Sequence, residues 1–451
     1  MDATKFVSPA WGRVIQTEPP GSFAAFIPQR VPRELALSAD TVMLLSEADA
    51  ALGRLAGSGR LLPDPHLLVN AYITREAVSS SRIEGTQASV TEVFDAAVTG
   101  ETKRDDIREV RNYVAALQHG MRRLKDDGFP ISLRLIKEMH EILLTGVRGQ
   151  DKTPGEFRTS QNWINSPNNR PETATFVPPP VHEMWQALDD WEKYLHDGTP
   201  RLPLLVRCAL LHYQFETIHP FLDGNGRLGR LFIVLYLTDR GRLPAPLLYL
   251  SSYFDQRKSD YYDRLQYARE RGEITEWLQF FLDGVAVQAN DAVERAEQLS
   301  DLREDYRARL RGGGRAHLVV DLLFANPILT VRHVMGSLDV SQPGASNLLR
   351  RLGAEGIVQE VGTGPGVRHR WVCRDVLKVL DPESGPLGAC PRAGQHFCTQ
   401  SREELEEPET SRYDRGDCQR DHHDRHIGRN RVRGARRPIA ARCHRRHRLG
   451  L

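Results

Sequence analysis

Twelve residues near the middle of the chain, His219-Pro-Phe-Leu-Asp-Gly-Asn-Gly-Arg-Leu-Gly-Arg230, join two strongly apolar stretches. Upstream, Leu204, Leu205, Cys208, Leu211 and Phe215 lie in a helix that ends at Ile218. Downstream, Leu228, Leu231, Phe232 and Leu235 begin a second helix that is apolar on most sides. Two core helices must therefore meet at a polar, glycine-rich turn. A helix start preceded by glycines offers free backbone N–H groups and the positive end of the helix dipole, an anion site suited to phosphate. Arg227 and Arg230 are spaced i, i+3, share a helix face and suit phosphate oxygens bidentately. Asp223 supplies a hard oxygen for Mg²⁺. His219 stands at the loop entrance, where a neutral imidazole can take a proton from a hydroxyl. A base, a metal ligand, an anion cradle and two arginines are the parts of a phosphoryl- or nucleotidyl-transfer site.

Rival readings of the same stretch fail on context. Gly224-Asn-Gly-Arg-Leu-Gly229 fits G-x-G-x-x-G, but the dinucleotide fingerprint follows a strand, and here an amphipathic helix precedes it. No glycine-rich loop ends in Gly-Lys-Ser/Thr, and no kinase Val-Ala-Ile-Lys or Asp-Phe-Gly set occurs. His212, Glu216 and His219 could be read as metal ligands. That set lacks a fourth ligand and competes with His219 as a base, so core packing is the better reading of His212 and Glu216.

The rest of the chain reads as mainly helical. At about 150 residues per domain, 451 residues suggest roughly three domains. The first forty residues are Pro-rich and read as irregular. Helical patterns start near residue 40 and recur at about 66–84, 104–126, 131–146, 181–196, 203–217, 226–240, 259–270 and 274–310. Residues 150–180 look like two short extended segments around a polar turn. Gly312-Gly-Gly-Arg marks a hinge. Beyond it, helices at 315–325, 330–338 and from Ser341 precede a hairpin of 357–361 and 370–373, the winged helix-turn-helix order. Residues 381–451 carry fifteen arginines, no lysine and eleven acids, a net +4 that leaves −2 on the first 380 residues. The body therefore has no strong global attraction to nucleic acid, and the tail reads as disordered. No signal peptide or 20-residue apolar run is visible. Cys208 and Cys373 read as core residues, and no CxxC pair occurs. The expectation is a cytoplasmic protein without a membrane segment.

His219 to Arg230 resembles the Fic (filamentation induced by cAMP) family signature, H-P-F-x-[DE]-G-N-G-R-x-x-R, at every specified position. The resemblance extends over roughly 35–380 and leaves out the tail. It implies a mainly α fold: a Fic-type helical catalytic domain with a β-hairpin flap, plus a C-terminal winged helix-turn-helix. The implied division is 1–125 for an N-terminal helical region with an inhibitory helix at about 66–85. Residues 126–285 would be the catalytic domain, 286–312 a linker helix, 313–380 the winged helix and 381–451 the tail. The implied activity is AMP transfer from ATP, with Mg²⁺, to Ser, Thr or Tyr hydroxyls of target proteins. AMP removal or another nucleotide transfer at the same site, or DNA-binding regulation through the winged helix, are the alternatives.

The resemblance also assigns residues. His219 would be the general base and Asp223 the Mg²⁺ ligand. Gly224, Asn225, Gly226, Arg227, Leu228 and Gly229 would cradle the phosphates, Arg230 would clamp the γ-phosphate, and Phe221 would anchor the loop. Tyr261 and Tyr262 resemble a tyrosine pair near the nucleotide. Arg269 stands where some relatives place a base-contacting asparagine. Ser80-Ser-Arg-Ile-Glu84-Gly85 resembles the family's inhibitory motif, [ST]-x-x-x-E-[GN]. Ser80 and Glu84 lie i, i+4 on one helix face, and Glu84 would compete with ATP for the fork of Arg230. Targets would dock on the flap at about 174–178 by strand addition. DNA contacts are expected from 341–351 (Gln342, Ser346, Asn347 and Arg350) and from Arg368 and Arg370, within 368–370. A homodimer is compatible with this arrangement.

Overall fold

Local sequence rules account for most element boundaries in the computed structural model. It describes residues 1–18, 22–61, 65–100, 104–310, 312–362 and 369–382. The chain opens with an antiparallel hairpin, β1 (Gly12–Gln16) and β2 (Ala24–Pro28). Five helices follow: α1 (Ala39–Leu61), α2 (Pro65–Ile83), α3 (Val90–Thr99), α4 (Asp105–Lys125) and α5 (Leu133–Leu144). Next come α6 (Val181–His196), α7 (Leu204–Ile218), α8 (Asn225–Asp239), α9 (Ser251–Gln256), α10 (Lys258–Arg271) and α11 (Ile274–Arg309). Ser89 and Glu92 form a capping box at the start of α3, and Ser132 caps α5, each satisfying an amide that the helix leaves free.

α7 and α8 are the central pair of the helical body. Every residue from Leu205 to Ile218 except Arg207 is buried, and so is α8 apart from Gly226 and its final residue. A helix apolar on all sides has to be surrounded. Here α7 is flanked by α6, α8 and α11, while α2, α4 and α5 pack on α8. α11 has 36 residues, roughly 54 Å at 1.5 Å per residue. It lies along α1 and runs without a break past residue 285.

Beyond α11 the chain forms α12 (Arg315–Ala325), β3 (Ile328–Leu329), α13 (Val331–Leu338), α14 (Gln342–Ala354), β4 (Gln359–Val361), β5 (Arg370–Val372) and α15 (Arg374–Leu380). Thr330 and Ser341 cap α13 and α14 with their side chains. β5 lies between β3 and β4 in an antiparallel sheet. This is the element order of a winged helix, with β3 as a strand that the apolar pattern did not disclose. It does not stand apart, because the described residues up to 382 form one compact unit. α12 packs on α2, and Asn326 Nδ2 donates to Phe94 O of α3 at 3.1 Å.

The expectation of an irregular N-terminus is corrected by β1 and β2. Phe26 is fully buried and packs on Phe176, with ring centroids 5.8 Å apart. Ala24, Ala25 and Phe26 close a small second core with Ala174, Phe176 and Val177. The 150–180 segment has a single bridge, Ile164 to Phe176, where a two-stranded flap was expected. Residues 383–451, including the Arg-rich tail, and Arg368 lie outside the described residues. Among the described residues, no helix is long and apolar enough to cross a membrane.

Candidate active site

The loop between α7 and α8 is locked by its own side chains and by three neighbours. His219 caps α7 in the left-handed region, φ 48° and ψ 61°. Gly224 caps α8 at φ 78°, a value that favours glycine. Asn225 closes the turn: Phe221 N donates to its Oδ1, and its Nδ2 donates to Phe221 O, both at 2.9 Å. The side chain predicted to touch phosphate therefore shapes the loop. Phe221 is fully buried between His140 and Phe157.

Arg158 and Asn162 hold the far end of α7. Arg158 is buried and directs its guanidinium at carbonyls, donating to His219 O (3.0 Å), Ser160 O (3.2 Å) and Pro179 O (2.5 Å). Cationic donors suit the negative end of a helix. Asn162 Nδ2 donates to both His219 O and Phe221 O. His219 Nδ1 is buried without a hydrogen-bond partner. Burial first, then the charges of Arg158 and Arg269, push its pKa down to about 3, so the ring is neutral at physiological pH.

The free amides lie where the glycine pattern predicted them. Leu228 N already donates to Gly224 O. The unbonded N–H groups at the start of α8 are therefore those preceding Leu228. Leu228 has its side chain in the core, and Gly229 lies against Glu216 and His212. Of the expected cradle, Leu228 gives its amide to the helix, and Leu228 and Gly229 turn their faces to the core. Asp223 Oδ1 accepts from Gly224 N (2.6 Å) and Arg227 Nη2 (3.3 Å).

The two arginines share a face of α8, and each meets a carboxylate. Arg230 is buried. Its Nη2 donates to Glu84 Oε1 at 2.7 Å and to Ser80 O at 2.9 Å, and its Nε donates to Ser80 Oγ at 2.9 Å. The last turn of α2 and Glu84 just beyond it thus surround the guanidinium, as the i, i+4 spacing predicted. Burial opposes the charge on Glu84, but Arg230 outweighs it and holds the carboxyl below its usual range. The approach of α2 explains Gly226, where a Cβ would lie 2.4 Å from Glu84 Oε1. Arg227 is equally buried and pairs with Asp223 and, at 3.6 Å, with Glu109 Oε2. Its Nε and Nη1 lack hydrogen-bond partners.

Glu109, His140 and Arg158 were not identified as functional from the sequence. Each acts across more than sixty residues: Glu109 on Arg227, His140 on Asp223, Arg158 on His219. The only local signal was a polar residue at an otherwise apolar helix position for Glu109 and His140.

Other expectations resolve individually. His212 donates from Nδ1 to Gly229 O and accepts at Nε2 from the Tyr261 hydroxyl, so it is a core residue. Tyr261 is buried and makes that bond to His212, and Tyr262 is exposed. Glu216 is buried, its Oε1 has no partner, and burial lifts its pKa to about 7. Arg269 stacks on the flap's Phe176 at 4.2 Å and donates to Thr217 Oγ1. The flap edge is partly used within the chain: Val177 O accepts from Phe26 N and Thr175 O from Gln266 Nε2. On α14, Gln342, Asn347 and Arg350 are exposed and Ser346 is partly so. Arg370 is corrected as a DNA contact, because its guanidinium is engaged bidentately by Asp95 of α3.

Comparison with known proteins agrees with this geometry. Residues 42–122 match the Fic/DOC family N-terminal model, and residues 130–237 match the Fic/DOC family model. A protein named protein adenylyltransferase Fic from Aedes aegypti is 30 % identical over 180 residues, 40 % of this chain and 32 % of that protein. One of the same name from Drosophila grimshawi is 30 % identical over 154 residues, 34 % of this chain and 28 % of that protein. The chain thus spans about a third of the length of the curated relatives it matches. A crystal structure of a Fic family protein from Desulfovibrio desulfuricans G20 has the same fold at 23 % identity. It covers 76 % of this chain and 98 % of that one, with a TM-score of 0.50. Residues 42–122 and 130–237 thus resemble the two regions of the Fic/DOC family.

Proposed function

We propose that this chain is a protein adenylyltransferase, moving AMP from ATP to a hydroxyl of a target protein, and that Glu84 holds it in check. The observation that carries this reading is the convergence of His219, Asp223, Arg227 and Arg230 on the open N-terminus of α8, with Glu84 on Arg230 at 2.7 Å. Neutral His219 takes the proton of the target hydroxyl. The oxygen attacks the α-phosphorus, the bond to the bridging oxygen breaks, and pyrophosphate leaves. The phosphates bring negative charge close to His219, which raises its affinity for that proton. The free amides that open α8 and Arg227 hold the phosphate oxygens. Arg230 takes the γ-phosphate once Glu84 withdraws.

The donor set at Asp223 fits Mg²⁺. It offers one partly exposed carboxylate beside a phosphate cradle, and Mg²⁺ in such sites takes most of its ligands from phosphates and water. The bound ion would neutralise phosphate charge.

Transfer of label from α-³²P-ATP, to the chain itself and to a cell lysate, tests the reading. Charge-assisted hydrogen bonds contribute about 1.5–3 kcal/mol, so Glu84→Gly is expected to raise labelling roughly ten- to a hundredfold. Adding His219→Ala is expected to remove it, since a general base contributes about 10²–10⁴-fold. No label in any folded variant would overturn the proposal and turn attention to AMP removal, with a DNA-shift assay of the full chain for the exposed face of α14.

A further inference from the structure

His140 lies on α5, fully buried, and nothing in its apolar helix requires an imidazole. Its ring lies flat on Phe221, with centroids 3.7 Å apart and 16° between planes. Gly155 N donates to Nδ1 at 2.9 Å. A nitrogen that accepts carries no proton, so the ring proton is on Nε2. Nε2 in turn donates to Asp223 O at 3.0 Å. One ring therefore ties together two loops that are distant in sequence, 219–224 and 145–157.

Both loops bear on the Asp223 carboxylate. The His140 bond fixes the carbonyl of Asp223, and the next amide, Gly224 N, donates to Asp223 Oδ1 at 2.6 Å. Gly149, in the second loop, faces the other oxygen so closely that a Cβ there would lie 2.6 Å from Oδ2. A Cβ on Gly224 would lie 3.4 Å from His140 Nε2. The carboxylate, the start of α8 and the wall opposite are thus referred to a single side chain. We propose that His140 is a positioning residue: it holds the Asp223 peptide so that the carboxylate and the first amides of α8 are set for the triphosphate, without touching the nucleotide. This inference rests on the adenylyl-transfer reading of the same site.

Three substitutions in the Glu84→Gly background separate its contacts. His140→Phe keeps the stack and loses both hydrogen bonds. His140→Gln keeps a donor at the position of Nε2, and His140→Asn keeps only an acceptor near Nδ1. Groups that orient metal or phosphate ligands are worth about 10–100-fold. Phe and Asn are expected to lower the labelling rate by that factor, and Gln to restore most of it. Binding of ATP, measured by equilibrium dialysis with Mg²⁺ and with EDTA, is the second readout. Phe is expected to lose most of the Mg²⁺-dependent gain and to keep the affinity measured in EDTA. Thermal unfolding selects variants that are folded. If Gln behaves like Phe and Asn, or if Phe keeps the Mg²⁺-dependent gain, His140 only packs and the inference is overturned. If the Glu84→Gly parent does not label, the adenylyl-transfer reading fails by itself, and the binding arm still decides the role of His140.

Discussion

Arg230 makes three hydrogen bonds to Ser80 and Glu84, and a γ-phosphate would need the same fork. In the proposed function, inhibition at the residue scale is competition between two anions for one guanidinium. Ser80 contributes by keeping Arg230 Nε engaged. Ser80→Ala is expected to weaken the inhibitory pose and raise labelling by a few-fold, about the 0.5–1.5 kcal/mol of one hydrogen bond. Unchanged labelling in the assay with α-³²P-ATP would assign Ser80 to packing alone. Burial also sets a pH dependence. His212 is pushed from 6.5 down to about 3, chiefly by burial. Between those values the unfolded chain binds the extra proton, so stability falls as pH drops from neutral. The contribution of His212 to that loss between pH 7 and 5 is about 2 kcal/mol. His212→Gln is expected to be less stable at pH 7, yet to lose less on acidification. Urea denaturation at both pH values measures the difference, and equal losses in both proteins would refute the assignment.

Among the elements, α2 holds Glu84 by its end as well as its face. Lys258 Nζ donates to Ile83 O at 2.5 Å, and Arg148 Nη2 donates to Glu84 O at 3.2 Å. The last carbonyls of a helix lack intrahelical partners, and cations complement them. Gly85 at φ 95° then turns the chain away, and the Thr86 hydroxyl donates to Glu109 Oε2 at 2.7 Å. Lys258→Met is expected to loosen this end and raise labelling severalfold, since a dipole-type contact contributes about 0.3–1 kcal/mol. In a Glu84→Gly background the same change should have no effect, because there is no glutamate left to place. A rise of equal size in both backgrounds would mean that Lys258 acts elsewhere.

Over the whole molecule, two outer pieces brace the site. The N-terminal hairpin covers the flap through Phe26, and the α12–β5 segment grips α3 through Asp95–Arg370 and Asn326. Phe26→Ala removes a fully buried ring and is expected to cost about 3–5 kcal/mol. Hydrogen exchange should then quicken at the amides of 164–177, while amides of α7 stay protected. Uniform loss of protection would show that the hairpin is integral to the main core. Asp95→Asn leaves Arg370 half-buried without its counter-charge and is expected to lower stability by about 1–3 kcal/mol in urea denaturation.

The 219–224 loop and the turn from Ser80 to Gly85 were readable because their information is local. Glycines before an apolar helix, arginines at i, i+3, and Ser80 with Glu84 at i, i+4 each place groups through helix geometry alone. The same holds for the caps at Thr330 and Ser341. Periodicity therefore determined the helices and which faces they bury. It could not determine which polar residue meets which across the fold. His140 on Asp223, Glu109 on Arg227 and Arg158 on His219 are fixed by packing of distant segments. β1 and β3 escaped the reading because Gly12–Gln16 shows no clean alternation and Ile328–Leu329 has only two residues. Arg370 looked free for phosphate because a chain shows its charges but not its counter-ions. Only the docking of β5 on α3 gives that arginine its carboxylate. Short-range spacing thus pointed to the chemistry, and tertiary contacts decided what holds each of these side chains in place.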